Sequence, residues 1–146
     1  MSMVIRAARP DEAEVLSALA VRSKGHWGYD EAFLASCRVE LAVRPEQCDG
    51  VHLQVAAAPD LRGFYLLEPG ELSALFVDPA AIGQGVGSAL LAHAVATARD
   101  LGWHELTIDS DPYAEPFYLH HGARRVDTTP SNSIPGRLLP QLLLRL

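Results

Sequence analysis

Residues 71–91 read ELSALFVDPAAIGQGVGSALL, and they combine a strand, a glycine-rich turn and the start of a helix. Successive side chains of a strand point to opposite faces. One face is therefore predicted to carry Leu72, Ala74 and Phe76, and the other Glu71, Ser73, Leu75 and Val77. Asp78-Pro79 ends this strand, because proline donates no ladder hydrogen bond.

The turn that follows carries Gly83, Gly85 and Gly87. Glycine lets the backbone turn sharply, and the helix that begins here directs its free N–H groups back at the turn. Such an arrangement binds phosphate-like anions. No lysine follows, which excludes a P-loop, and the spacing fits a dinucleotide fingerprint poorly. The glycines alone leave open a plain strand-to-helix turn that holds no ligand.

Composition predicts one domain over residues 1–146, with enough apolar residues for a sizeable core. The net charge of −6 argues against non-specific nucleic-acid binding. No apolar run reaches the length of a membrane span or of a signal-peptide core, so we expect a cytoplasmic protein without membrane association. Cys37 and Cys48 form no metal-binding pattern, and no metal site is expected.

Periodicity and turn residues predict the element order β-α-α-β-β-β-α-β-α-β-β, an α/β fold with a mixed sheet. The predicted strands are 3–7, 51–57, 63–67, 71–77, 105–109, 123–126 and 138–146. The predicted helices are 10–24, 31–41, 85–101 and 114–121, and residues 128–137 form a polar loop. Short connections predict that three successive strands, from 51 to 77, are antiparallel.

Two motifs carry a family resemblance. Residues 82–87, IGQGVG, match the pattern Arg/Gln-x-x-Gly-x-Gly/Ala. Residues 111–118, DPYAEPFY, followed by Gly122-Ala123, match Asn-x-x-Ala-x-x-Phe-Tyr with a later Gly-Phe. With the element order, they resemble the GNAT (Gcn5-related) superfamily of N-acetyltransferases over nearly the whole chain. Ile82, Asp111 and Ala123 depart from the family pattern.

The resemblance implies the GNAT acyl-CoA N-acyltransferase fold, with a mostly antiparallel sheet and helices on both faces. It implies an enzyme that transfers an acetyl group from acetyl-CoA to a primary amine, directly and through a tetrahedral intermediate, without a metal. The implied cofactor-binding residues are Leu75, Phe76, Val77, Gln84, Gly85, Val86, Gly87, Ser88, Asp111, Ala114 and Phe117. Ile82 removes a side-chain contact to the phosphates, which would then rest on backbone amides.

Acyl transfer to an amine requires a base, because an amine like that of lysine has a pKa of about 10.4 and is protonated at neutral pH. Glu71 is the candidate base, or else a charged residue at a hairpin mouth. Tyr118 occupies the position of the family's general acid, or else it packs under the CoA arm. A backbone N–H near Phe76 or Val77 is the implied oxyanion donor.

The loop with His26, Trp27 and Tyr29 is a candidate wall of the acceptor site, although Trp27 could instead anchor it in the core. The expected partner is a small-molecule amine, with a protein N-terminus or lysine as further options. A homodimer is possible, with the apolar last strand, residues 138–146, pairing across subunits. The alternative function is a non-catalytic acyl-CoA-binding or regulatory module on the same fold.

Overall fold

Seven strands form one continuous sheet in the computed structural model, which describes residues 3–146. The strands are β1 (Val4–Ala7), β2 (Leu53–Ala57), β3 (Leu61–Glu68), β4 (Glu71–Val77), β5 (Glu105–Asp109), β6 (Arg124–Pro130) and β7 (Leu138–Arg145). The helices are α1 (Ala13–Gly25), α2 (Glu31–Leu41), α3 (Val86–Asp100) and α4 (Glu115–His120). The strand order is β1-β2-β3-β4-β5-β7-β6, and only β4 and β5 run parallel to each other.

The predicted fold class and element order are confirmed, and β4, β5 and α2 have the predicted bounds. Asp30 caps α2, because its side chain accepts a hydrogen bond from the Phe33 N–H. Apolar clusters cover both faces of the sheet, one around α3 and the other around α1. Leu16 and Leu19 of α1 are almost fully buried, and each such burial stabilises the fold by about 1.5–3 kcal/mol.

The last two strands differ from the prediction. The strand β6 continues to Pro130, so residues 128–130 are strand and not loop. Its side chains are mostly exposed, and a polar edge strand has no alternating apolar signal. The strand β7 lies between β5 and β6, and both its edges are paired within the chain. Pairing of the last strand across subunits was therefore a wrong prediction.

A β-bulge in β4 changes the predicted face assignment. Leu66 pairs with Ala74 and Leu67 with Leu72, which leaves Ser73 as an extra residue. A bulge shifts the alternation of side chains by one position. Leu72 therefore packs on the α3 side with Leu75 and Val77, whereas Ala74 and Phe76 pack on the α1 side. The grouping of Leu72 with Ala74 and Phe76 was wrong, and Glu71 faces the α1 side because it precedes Leu72.

The parallel strands β4 and β5 pair where the first residue of β4 lies beside the middle of β5. Within residues 3–146 their single register pair is Glu71 with Thr107, next to a hydrogen bond of 3.0 Å from the Thr107 N–H to the Gly70 carbonyl. Beyond this pair the two strands are not bonded to each other, so a cleft opens between them toward their carboxyl ends. Ligands of open α/β sheets bind at such ends.

We predict that Gly63→Ala destabilises the protein by about 2 kcal/mol, a typical cost of overpacking. A Cβ at Gly63 would lie 2.6 Å from the Phe76 carbonyl oxygen and 3.0 Å from Cδ1 of Leu90. Urea unfolding measures the change. Gly25→Ala is the control, because its Cβ would have an ordinary contact of 3.4 Å with Leu34 and alanine favours helices. Equal stability of the two variants would contradict the prediction.

Candidate active site

A cavity of about 640 Å³ lies at the cleft between β4 and β5. One part of its wall is formed by the glycine turn, the start of α3 and the α4 residues Phe117 and Tyr118. Another part comes from α2, the connection between α1 and α2, and the loop between β6 and β7. The cavity thus connects the two faces of the sheet through the cleft, and its volume lies within the usual range of ligand pockets.

The edge of β4 that faces the cleft exposes the backbone N–H and C=O groups of every second residue. The Asp78 N–H donates to the carbonyl of Arg62 in β3 at 2.8 Å. Backbone groups of alternate residues point to the same side of a strand, so those of Phe76 also face β3, and those of Leu75 and Val77 face the cleft. These two residues can bond an extended arm as an added strand would. Of the two predicted oxyanion donors, the Phe76 N–H faces β3 and the Val77 N–H faces the cleft, and the oxyanion role stays a prediction. The Phe76 side chain lines the cavity.

The glycine turn exposes the amino end of α3. Gly83 and Gly85 have φ of 85° and 78°, which side chains other than glycine rarely adopt. Within residues 3–146, the N–H groups of Gly85, Val86, Gly87 and Ser88 have no hydrogen-bond acceptor, whereas that of Gln84 donates to Ala81 at 3.3 Å. Four free amides at the positive end of a 15-residue helix fit a pyrophosphate.

The helix α4 and the residue after it pack against this turn, through the Phe117 ring and the His121 side chain. A Cβ at Gly87 would lie 3.3 Å from the Phe117 ring, so glycine is needed for this close approach. His121 accepts from the Ser88 hydroxyl at Nε2 (3.0 Å), because its Nδ1 donates to the Phe117 carbonyl (2.9 Å). No local pattern in the sequence indicates this link, since its partners are 33 residues apart. Ala114 also lines the cavity beside Phe117.

Tyr118 is buried in the cavity wall, with 6% of its surface exposed. No group among residues 3–146 bonds its hydroxyl, and the enclosed polar side-chain atom that lacks a partner there is Arg62 Nε, so the Tyr118 hydroxyl is open to the cavity. Burial raises the pKa of Tyr118 well above its usual value, so the phenol stays protonated at neutral pH. An unpaired, protonated donor is therefore available to a ligand.

Three carboxylates lie together in the cavity wall at the start of the cleft. They belong to Glu68, Glu71 and Asp109, and none forms an ion pair within the described part of the chain. Burial raises the pKa of Glu71, and the negative charges of Glu68 and Asp109 raise it further. A carboxylate with a raised pKa accepts a proton more readily, so Glu71 is suited to act as a base.

Asp111 lies in the wall with its oxygens already bonded by protein donors. Its carboxylate accepts hydrogen bonds from Lys24 Nζ (2.8 Å), the Tyr29 hydroxyl (3.0 Å) and the Tyr113 N–H (2.9 Å). Burial acts to raise the pKa of this carboxyl, but the bonds from its partners outweigh burial and the pKa is lowered. The structure thus gives Asp111 a role in joining the loops around the cavity, and a contact with CoA stays a prediction.

The predicted acceptor loop lies at the cavity. Trp27 stacks on Tyr113 with ring centroids 5.4 Å apart, and the His26 ring meets it edge-on at 5.3 Å. Both His26 and Trp27 line the cavity. Trp27 is 39% exposed, so it is not a core anchor. Tyr29 stacks on Phe33 at 4.1 Å and reaches Asp111. Sequence reasoning missed Lys24 and Arg137, which complete this wall.

Neither the pattern of a metal site nor that of a membrane-spanning helix occurs among the described residues. Among residues 3–146, no three potential metal ligands lie close enough to share an ion. None of the helices that the structure describes has the length and apolarity of a membrane span.

Comparisons with known proteins agree with the fold. Residues 63–132 match the family model described as an acetyltransferase (GNAT) domain. No curated protein matches the sequence significantly. Among solved structures, the GCN5-related N-acetyltransferase described as "Aminotransferase, Class-II" from Rhodopseudomonas palustris is 24% identical, with a TM-score of 0.83, over 100% of this chain and 99% of that one.

Two further structures share the fold. Apo-form YjaB from Escherichia coli is 26% identical, with a TM-score of 0.73, over 99% of this chain and 97% of that one. The PaiA N-acetyltransferase from Thermoplasma acidophilum, in complex with coenzyme A, is 20% identical, with a TM-score of 0.76, over 100% of both chains. Residues 63–132 therefore match a GNAT acetyltransferase domain, and the whole chain has the fold of solved GNAT acetyltransferases.

Proposed function

We propose that the protein is an N-acetyltransferase that moves an acetyl group from acetyl-CoA to a primary amine, by direct transfer through a tetrahedral intermediate. The observation that carries this proposal is the cleft between β4 and β5. It joins a phosphate-binding turn and a buried, unpaired Tyr118 to a group of carboxylates that includes Glu71. One cavity therefore offers an anion site, a proton donor and a proton acceptor.

Several features of the cavity fit acetyl-CoA. The free amides of residues 85–88 would hold the pyrophosphate. The backbone groups of Leu75 and Val77 would bond the pantetheine arm, which carries amides of its own. Phe117 and Ala114 supply apolar wall along the same path. The solved PaiA structure is a complex with coenzyme A, which supports the same ligand class for this fold.

Each group has one chemical task in the proposed reaction. Acetyl-CoA supplies an activated thioester when bound. Glu71, directly or through water, takes the proton of the ammonium and frees the nitrogen lone pair, which forms the new C–N bond. The Val77 N–H stabilises the charge on the carbonyl oxygen. Tyr118 gives its proton to the sulfur as the C–S bond breaks, and the nitrogen loses its second proton, which returns through water to the Tyr118 phenolate. The products are an amide and a thiol, and the first proton leaves with Glu71.

The first test measures thiol release from acetyl-CoA with a panel of primary amines. We expect at least one amine to release thiol at a rate well above hydrolysis without acceptor, with one amide formed per thiol. Binding of acetyl-CoA without turnover on any amine would instead favour the non-catalytic module. Absence of acetyl-CoA binding would contradict both functions.

Tyr118→Phe is expected to lower kcat by about 100-fold, at the lower end of the range for loss of a general acid. It should leave stability unchanged, because no protein group bonds the hydroxyl. Tyr65→Phe is the matched control, since that buried hydroxyl bonds His93 (2.7 Å) and Thr97 (3.0 Å) outside the cavity. It should lose about 1 kcal/mol of stability and keep its turnover. Undiminished turnover of Tyr118→Phe would remove the acid role.

Glu71→Gln is expected to lower kcat/KM at neutral pH by about 100-fold, because a base for the ammonium is lost. The kcat/KM of the variant should approach that of the wild type as the pH approaches the pKa of the amine, because the unprotonated amine needs no base. The measurement is a pH–rate profile of both proteins. Glu105→Gln, on an exposed part of β5, serves as the control. Parallel profiles for wild type and Glu71→Gln would show that another group is the base.

A further inference from the structure

Two cations in the cavity wall share one carboxylate. Lys24 and Arg137 both approach Asp111, the first at 2.8 Å and the second at 3.8 Å. The ammonium of Lys24 has three N–H donors and the guanidinium of Arg137 has five. Within residues 3–146 each uses only one of them in a hydrogen bond, to Asp111 and to the Tyr29 hydroxyl respectively. The remaining donors are available to a ligand in the cavity that both side chains line.

The group carries an excess positive charge. Burial and the charge of Asp111 raise the pKa of Tyr29 to about 12, so its phenol is neutral. The Asp111 carboxyl is ionised, because its pKa is lowered. Two positive charges therefore face one negative charge. The side chains of Lys24 and Arg137 are only 12% and 19% exposed, which weakens screening by water and strengthens the attraction for an anion.

The guanidinium of Arg137 is held in a fixed orientation. It lies over the rings of Phe33 (4.8 Å) and Tyr29 (5.2 Å), and its Nη2 donates to the Tyr29 hydroxyl at 2.7 Å. Arginine in such a position presents a planar fork that matches a carboxylate. Because the stack costs the side chain its freedom before any ligand arrives, less entropy is lost on binding.

The other carboxylates of the same cavity lack a positive partner. Glu68, Glu71 and Asp109 lie on the sheet and Glu40 lies on α2, and none has a cationic partner in the described part of the chain. The positive group lies in the last turn of α1 and in the loop before β7. One cavity therefore has a region suited to an ammonium and a separate region suited to an anion.

We propose that the acceptor is an amine that also carries a carboxylate, as in an amino acid or a close derivative. Arg137 and Lys24 bind its carboxylate, and its amine lies near Glu71. This inference rests on the proposed acetyltransferase function and selects among its acceptors. It favours a small zwitterion over a polyamine or a protein N-terminus, neither of which has a carboxylate beside its amine.

The experiment compares three forms of each acceptor: the common L-amino acids, their carboxamides, and the amines left by decarboxylation. Thiol release from acetyl-CoA gives kcat/KM for each form. We expect kcat/KM for the best amino acid to exceed the values for its carboxamide and its decarboxylated amine by about 10-fold or more. This is the effect expected from losing a hydrogen bond to a charged group. The three forms differ at the carboxylate, so the ratio reports its recognition.

Arg137→Gln should remove this preference. We expect KM for the acid to rise by about 10-fold or more, with kcat and the kcat/KM of the carboxamide changed by less than about 3-fold. Arg137→Lys should recover part of the preference, since it keeps the charge but loses the fork. Lys24→Met provides a second variant if Arg137→Gln does not fold. Arg99→Gln, at an exposed site of α3 that does not line the cavity, is the control and should keep the wild-type ratio.

The outcomes separate this inference from the proposed function. Turnover with diamines or carboxamides at rates equal to or above those of the acids would overturn the inference and keep the acetyltransferase. An acid preference that Arg137→Gln and Lys24→Met leave unchanged would also overturn it. Failure of every amine to release thiol, with acetyl-CoA bound, would instead overturn the proposed function itself.

Discussion

The separation of β4 from β5 is the constraint on which the site depends. Two parallel strands normally bond along their length, but here Glu71 and Thr107 form the one register pair within residues 3–146. Beyond it, the backbone groups of Leu75 and Val77 have no partner strand. Unpaired backbone groups at a buried position are costly, so this edge is stable only if water or a ligand bonds it. The cleft is thus a binding edge built into the sheet.

The bulge at Ser73 determines which side chains of β4 lie on each face of the sheet beside that cleft. By shifting the alternation of β4, it places Leu72 with Leu75 and Val77 against the α3 side and leaves Glu71 on the α1 side. The proposed base therefore lies on the face that also carries Lys24, in the last turn of α1, and Arg137, in the loop before β7. The turn before α3, where we propose that the cofactor binds, and the proposed acceptor wall approach the same cleft from different elements.

Local sequence signals predicted much of the fold. The alternation of residues 71–77, the proline at 79 and the glycines of the turn specify the strand, turn and helix without reference to distant residues. The same is true of Asp30, whose cap bond spans three residues. The bulge at Ser73 was not predictable, because it depends on the register of β4 against β3. The exposed strand β6 had no apolar pattern to reveal it.

The sequence predicted the site residues that lie in or beside motifs. It did not predict those that contact each other over long distances in the chain. The glycine turn, Glu71 and Tyr118 lie in motifs or beside them, and the structure places them around one cavity. The contact of Lys24 with Asp111 spans 87 residues, and that of Arg137 with Tyr29 spans 108. No spacing rule relates such positions, so the positive group on the loops became visible only in the fold.

The central claim is that the cofactor forms hydrogen bonds with the open edge of β4. Amide hydrogen exchange, measured with and without acetyl-CoA, tests this claim most directly. The account predicts that acetyl-CoA slows exchange at Leu75 and Val77 and at residues 85–88, and leaves Phe76 unchanged because it already bonds β3. Equal slowing at Phe76 and its neighbours, or protection confined to other strands, would contradict it.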